Sequence, residues 1–309
     1  MPKTIIKISI LKDYGKVYLR SLLNKINLPR LNLSATATAN ENQPILSLHH
    51  QACTGGSIIS KYFNDYFSNL VLISEINPKA TFGSYRFSPL NPLSQYAYQS
   101  GEPWHYEAFQ KKIYIHEISL INKDISSKNS YLLIRDWSHG DFFSFTIISE
   151  TTTVNWLTDA GFSVIPIVTV RHPLESYLSA RAKKWVDMSL HEYCERYHSF
   201  FKVYAACPVF YYEDFCRSPE DFFSKIINYY KDKGIHLIKN SGYSPHRAGS
   251  KKISGDSGRS ASLPYLRSAK PIPNHLANTT KSTSAYLNLC TKLGYNPYLQ
   301  DSTTQYFKP

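Results

Sequence analysis

Three short segments of this 309-residue chain combine residue types that can hold an anion. The first is Ala52-Cys53-Thr54-Gly55-Gly56-Ser57, directly after the run ILSLHH and before the stretch IISKYFNDYF. Paired glycines let backbone N–H groups turn inward, hydroxyls add donors, and a helix that follows presents partial positive charge at its N-terminus. The segment lacks the spacing and the lysine of G-x-x-x-x-G-K-[ST], so it is not a Walker A loop; a strand-Gly-Gly-helix turn is also a common tight connection. The second segment is VTVRHPLESYLS, Val168 to Ser179. Its strand ends at Arg171, Pro173 suits the first helical position, and Ser179 falls about a turn and a half into the helix. That geometry lets Arg171 and Ser179 converge on one phosphate; the plainer alternative is an ion pair at Arg171 and a small packing residue at Ser179. The third is Lys251-Lys252-Ile253-Ser254-Gly255-Asp256-Ser257-Gly258-Arg259, either a basic glycine loop for phosphate or a solvated surface loop.

Such segments need a frame. Short apolar runs recur as strand candidates at Ile45 to His49, Val71 to Ser74, Tyr131 to Arg135, Val164 to Val170 and Pro208 to Tyr212. Each is followed by turn residues and then by a helix-length stretch, which predicts an α/β fold: a central, mainly parallel sheet of about five strands with helices on both faces. Ligands in such folds sit at the carboxyl ends of strands. Residues 33–44, LSATATANENQP, suit a linker, dividing the chain into an N-terminal appendage over 1–44 and a main domain over 45–309. Between about 81 and 130 the pattern weakens and aromatics crowd in, which predicts an insertion over the sheet edge. Tyr193, Tyr197, Phe200, Phe201 and Tyr204 recur at helical spacing and predict a core-facing helix. The tract from Lys239 to Lys270, rich in Ser, Gly and basic residues, reads as a flexible loop.

Composition bounds the partners. A hydrophobic fraction of 42% supports a full core and excludes wholesale disorder, while 35 Lys and Arg against 23 Asp and Glu leave a net charge of +12 and point to an anionic partner. The cations are spread along the chain, without a basic run interleaved with aromatics, which argues against nucleic acid. The five cysteines, Cys53, Cys194, Cys207, Cys216 and Cys290, form no C-x-x-C pair, so a reduced compartment is expected and structural zinc is not. Lysines and an arginine break every apolar run in residues 1–30, so no signal-peptide core or membrane span can be drawn there and a cytoplasmic protein without integral membrane association is expected.

In order along the chain, the hydroxyl-glycine turn, the R-x-P junction with Ser eight residues after the Arg, and the late basic Gly-x-x-Gly loop resemble the PAPS-dependent sulfotransferases. LISEINP at 72–78 and YYEDF at 211–215 look like segments of the bacterial sulfotransferase-like proteins. The resemblance implies a P-loop type three-layer sandwich and the donor 3′-phosphoadenosine 5′-phosphosulfate (PAPS), with no metal. It places the 5′-phosphosulfate on Cys53, Thr54, Gly55, Gly56 and Ser57, and the 3′-phosphate on Arg171, Ser179, Lys252, Ser254, Gly255, Gly258 and Arg259. Many members carry a Lys or Arg where this chain has Cys53; His50, Lys61 and Arg135 are the candidates to supply that charge.

Sulfuryl transfer needs positioning, charge stabilisation on the leaving oxygen, and a base within about 3 Å of the acceptor proton. The family keeps its base after the third core strand, where this chain reads LIRDWSHGD, Leu133 to Asp141. His139 is the first candidate because its ordinary pKa lies near neutrality, Asp136 the second, and Glu75, at the end of another strand, the third. A small-molecule or glycan acceptor is expected, with the insertion near 81–130 on its side of the fold. A kinase-like phosphoryl-transfer enzyme, a donor-binding pseudoenzyme and a nucleic-acid-binding protein are the competing readings.

Overall fold

The structure is a computed structural model that describes residues 43–78, 103–143, 151–244, 253 and 274–297. The chain divides between Thr38 and Ala39, and all described residues belong to the second unit. In chain order the elements are β1 (Ile45–His50), α1 (Gly56–Tyr66), β2 (Leu70–Ile76), α2 (Pro103–Ser127), β3 (Tyr131–Asp136), α3 (His139–Phe142), α4 (Thr152–Asp159), β4 (Val164–Val170), α5 (Pro173–Ala182), α6 (Leu190–Val203), β5 (Val209–Tyr211), α7 (Tyr212–Arg217), α8 (Pro219–Asp232), α9 (Asn274–Ser282) and α10 (Ser284–Leu293). Each of the five strand candidates becomes a strand within two residues of its expected ends. They form one parallel sheet in the order β2-β3-β1-β4-β5.

Side-chain alternation along these strands feeds different cores. Leu46, Leu48, Leu133 and Ile167 pack with Ile59 and Phe63 of α1 and with Phe222 and Phe223 of α8. Their neighbours Ile45, Leu132 and Ile134 pack instead with Tyr114 and Ile118 of α2 and Trp156 of α4. Val168 and Val170 meet Leu174 of α5, Tyr193, Tyr197 and Phe200 of α6, and Tyr286 of α10. The aromatic face expected near residue 193 is therefore core, as Tyr193, Tyr197 and Phe200 are fully buried. Burying each such ring contributes about 1.5–3 kcal/mol.

The described part of the expected edge insertion is different: residues 103–127 are α2, the crossover from β2 to β3, and Tyr114, Ile118 and Ile125 are buried within it. Polar and apolar residues alternate in α2 without a clean apolar stripe, so periodicity could not separate it from a loop. Residues 79–102 lie outside the described residues.

Right-handed crossovers explain where a ligand can enter. The chain leaves β1 toward β2 on one side of the sheet order, whereas β3 and β4 lead the other way, so their helices go to opposite faces. The loops part at the carboxyl end of β1, the usual position of a ligand crevice in such sheets. Among the described residues, no helix is long and apolar enough to cross a membrane.

Candidate functional site

A cavity of about 520 Å³ opens at that carboxyl edge. It is lined by His50 from β1, Cys53, Gly55, Gly56 and Ser57 from the turn, Lys61 from α1, Glu75 from β2, and Arg135, Trp137 and His139 from β3 and the segment after it. The turn is held by strained and close-packed backbone. Cys53 has φ 63° and Gly55 φ 90°. A Cβ on Gly55 would lie 2.1 Å from the Tyr212 ring, and one on Gly56 would lie 2.1 Å from Nε2 of His50, so Gly55 is required by contact as well as by conformation and Gly56 by contact. The Oγ1–H of Thr54 donates to the Gln51 carbonyl at 2.6 Å, and the residue is fully buried. Thr54 therefore closes the turn and does not line the cavity. Among the described residues three helices are capped by side chains: Thr151 accepts from Val154 N–H, Ser189 from Glu192 N–H and Ser218 from Asp221 N–H. At α1 the cap is Gly55, without a side-chain bond, and no acidic residue lies in the first turn. Its N–H groups and the positive end of its dipole border the cavity.

Arg135 stands opposite. It is 2% exposed, and its guanidinium donates from Nε to Nε2 of His50 at 2.9 Å and from the terminal nitrogens to Oγ of Ser74 and of Ser57, each at 3.0 Å. It also forms an ion pair with Glu75. The Nδ1–H of His50 donates to the Gln51 carbonyl at 3.0 Å. Burial first, then the Arg135 charge, pushes the His50 pKa down to about 3, so the ring is neutral. Lys61 is buried to 4% exposure on α1. All three residues considered as substitutes for a cation at Cys53 thus meet in one cavity. Arg135 and Lys61 carry the charge, and His50 does not.

The three base candidates separate. His139 lines the cavity, its ring edge-on to Trp137 at 4.2 Å between centroids. A Cβ on Gly140 would lie 2.1 Å from the Trp137 ring, so this glycine lets the indole fold back beside His139. Nδ1 of His139 is buried and finds no hydrogen-bond partner among the described residues. Burial, followed by the nearby His50 and Arg135, holds its pKa well below the ordinary value. Glu75 also lines the cavity, and burial raises its carboxyl pKa despite the opposing Arg135 charge. Asp136, by contrast, does not line it. Its Oδ2 accepts from Ser138 Oγ at 2.6 Å and pairs with Nδ1 of His49 at 3.2 Å, while Oδ1 accepts from Thr153 Oγ1 at 2.5 Å.

Ser47, His49 and Asp136 stand in the order of a hydrolytic triad, with Nε2 of His49 2.9 Å from Ser47 Oγ. All three are fully buried, so no substrate reaches the hydroxyl and the network ties β1 to β3 instead. The ring of His49 is further stacked on Tyr204, whose hydroxyl is 2.8 Å from Nδ1.

Arg171 follows β4 and Pro173 opens α5, as expected from the R-x-P junction. The guanidinium is engaged within the chain. It donates to the Cys53 carbonyl at 3.1 Å, pairs with Glu175 at 3.0 Å and lies over the Tyr212 ring at 5.0 Å. Ser179 is 6% exposed on α5. Neither lines the cavity, and Arg171 acts as a brace that fixes the turn at Cys53. The glutamate of YYEDF, Glu213, is a second brace, accepting from His172 N–H at 3.0 Å and from Tyr295 O–H at 2.7 Å. Lys252, Ser254, Gly255, Gly258 and Arg259 lie outside the described residues.

Sequence reasoning missed one wall. Lys183, Trp185 and Val186, just after α5, line the cavity mouth with Phe143. Lys184 has φ 56°, and Trp185 N–H donates to the Ala180 carbonyl at 3.0 Å while Lys184 N–H donates to Arg181 at 2.9 Å. This is a Schellman closure made without glycine, which left no signal in the sequence. It leaves Trp185 55% exposed, with the Lys183 ammonium 4.2 Å from its ring centroid. No known protein family matches the chain, and no curated protein emerges as a relative.

Proposed function

We propose that this chain is a sulfotransferase that moves a sulfuryl group from 3′-phosphoadenosine 5′-phosphosulfate to a hydroxyl or amine of a small-molecule or glycan acceptor. The observation that carries this reading is the meeting, in one cavity of nucleotide size, of the uncapped α1 N-terminus with the buried guanidinium of Arg135. The donor class fits these residues: backbone N–H groups at Gly55, Gly56 and Ser57 suit phosphosulfate oxygens, and Arg135 with Lys61 supplies the cation absent at Cys53. The strand order and the turn after β1 also favour the finer reading of the fold as a P-loop type sandwich.

The donor, when bound, supplies the activated sulfuryl group. Arg135 and Lys61 stabilise charge that develops on the leaving oxygen, in a site where burial strengthens the attraction. His139 is neutral and lines the cavity, so its imidazole can take the acceptor proton. Trp137, Phe143 and Trp185 border the acceptor and exclude water from its proton. Arg171 keeps the turn in place through Cys53, and the resemblance assigns the 3′-phosphate to Arg171, Ser179 and the basic tract from Lys252 to Arg259.

The test is a transfer assay with sulfur-labelled donor and a panel of phenols, sugars and amines, run beside γ-labelled ATP. Label transferred from the sulfate donor alone supports the reading. Transfer from ATP alone replaces it with phosphoryl transfer.

A further inference from the structure

Arg135 is a buried cation, and a buried cation requires a counter-charge. In this chain that charge comes from Glu75, whose position is unusual in three respects. It lies within β2 at φ 58°, a conformation that side chains other than Gly, Asn and Asp rarely adopt in a strand. The register of β2 against β3 shifts between Ser74 and Ile76, so Glu75 is the extra residue of a β-bulge, a device that re-aims a side chain. And the carboxylate, unlike that of the fully buried Asp136, keeps 21% side-chain exposure and lines the cavity. Backbone strain of this kind persists only where the surroundings enforce it and clusters at functional sites.

We infer that the Glu75 carboxylate is a built-in counter-anion of the cavity: it holds Arg135 until an incoming anionic group displaces it, and so sets which anions the site admits. The inference rests on the anion-binding reading above and adds the residue that governs its selectivity. The remaining bonds of Arg135 described above go to the neutral acceptors His50, Ser74 and Ser57, which an entering anion does not need to break. An incoming group therefore exchanges with Glu75. A weakly basic monoanion gains little from the exchange, whereas a doubly charged sulfate or phosphate group gains a stronger charge-assisted bond. Once displaced, Glu75 stands beside a new negative charge and takes up a proton more readily, so anion binding and proton uptake are linked.

The titratable groups around Glu75 allow this linkage to be read. Arg135 and Asp136 of β3 act on it directly. His50 of β1 and His139 share the cavity and are held neutral, while Lys61 and Lys183 are the cations of its α1 wall and its mouth. Asp141 of α3, pushed up to about 6 by burial and by Asp136, bonds to Thr152 away from the lining and serves as the control.

The experiment titrates the full chain with inorganic sulfate, whose charge is constant between about pH 5 and 8, and in parallel with 3′-phosphoadenosine 5′-phosphate. Wild type is expected to bind sulfate more tightly as pH falls, by up to about tenfold per pH unit. Glu75→Gln should bind sulfate about tenfold more tightly at neutral pH and lose most of that slope, because the competing like charge is gone. Glu75→Gly, which suits the positive φ, should do the same even if the glutamine variant is poorly folded. Asp141→Asn should keep the wild-type slope. Equal or weaker sulfate binding by both Glu75 variants, with the slope unchanged, overturns the inference and leaves the anion site standing. Absence of binding of either ligand by every folded variant overturns the anion site and the inference together.

Discussion

Nε of Arg135 donates to Nε2 of His50 at 2.9 Å, and that bond decides the chemistry of the ring. With Nδ1–H committed to the Gln51 carbonyl, the imidazole is confined to one neutral tautomer. His50 is thus a spacer that orients a guanidinium, and the positive charge facing the α1 N-terminus belongs to Arg135.

The same burial makes stability depend on pH. The pKa of His50 is pushed down to about 3 and that of His172 to about 4, both chiefly by desolvation, and that of His139 lies well below its ordinary value. The unfolded chain binds these protons near pH 6.5 and the folded chain does not, so the stabilisation is complete above that pH and is lost as pH falls. Each histidine adds a slope approaching about 1.4 kcal/mol per pH unit. Below about 6, proton uptake by Asp141 in the folded protein opposes the trend. Denaturant unfolding should show stability falling as pH drops from about 7.5 to about 6, and ring nitrogen shifts should show His50 still in the Nδ1–H form there.

Gly56→Ala should act through His50. The added Cβ would sit 2.1 Å from Nε2, inside a buried ring that has no room to retreat, and would break its bond to Arg135. Overpacking of this kind costs about 1–3 kcal/mol, readable by chemical denaturation. Wild-type stability in the alanine variant would show that the turn is not packed as described.

His139 and Asp136 should part company in a mutant pair. His139→Ala is expected to leave affinity for 3′-phosphoadenosine 5′-phosphate nearly intact while transfer falls by about two to four orders of magnitude. Asp136→Asn should instead lower stability, because its oxygens accept from Ser138 and Thr153 inside the sheet. Unsatisfied groups there cost about 1–3 kcal/mol each. A stable Asp136→Asn protein that binds nucleotide but does not transfer would return the base to Asp136.

The frame was legible because β1 to β5 announce themselves as short apolar runs broken by turn residues, a local signal. The turn at Gly55 and Gly56 was legible for the same reason. What sequence could not supply was direction. Nothing in LIRDWSHGD tells that Arg135 faces the cavity while Asp136 faces His49, since alternate strand residues point to opposite sides and the sheet's packing decides which side is which. Arg171 shows the same limit, because its partners Glu175 and Cys53 are one near and one distant in the chain, and only the distant contact reveals a brace. The wall at Trp185 depended on a left-handed Lys184, a conformation that lysine does not advertise.

The proposed donor site is tested most directly by a calorimetric titration of the wild-type protein with 3′-phosphoadenosine 5′-phosphate, with AMP and the Arg135→Gln variant run in parallel. It predicts saturable binding at least about tenfold tighter than AMP, and a loss of about ten- to a hundred-fold in the variant, the size of a charge-assisted bond to phosphate. Equal affinity for the two nucleotides, or an Arg135→Gln protein that is folded and binds like wild type, would contradict it.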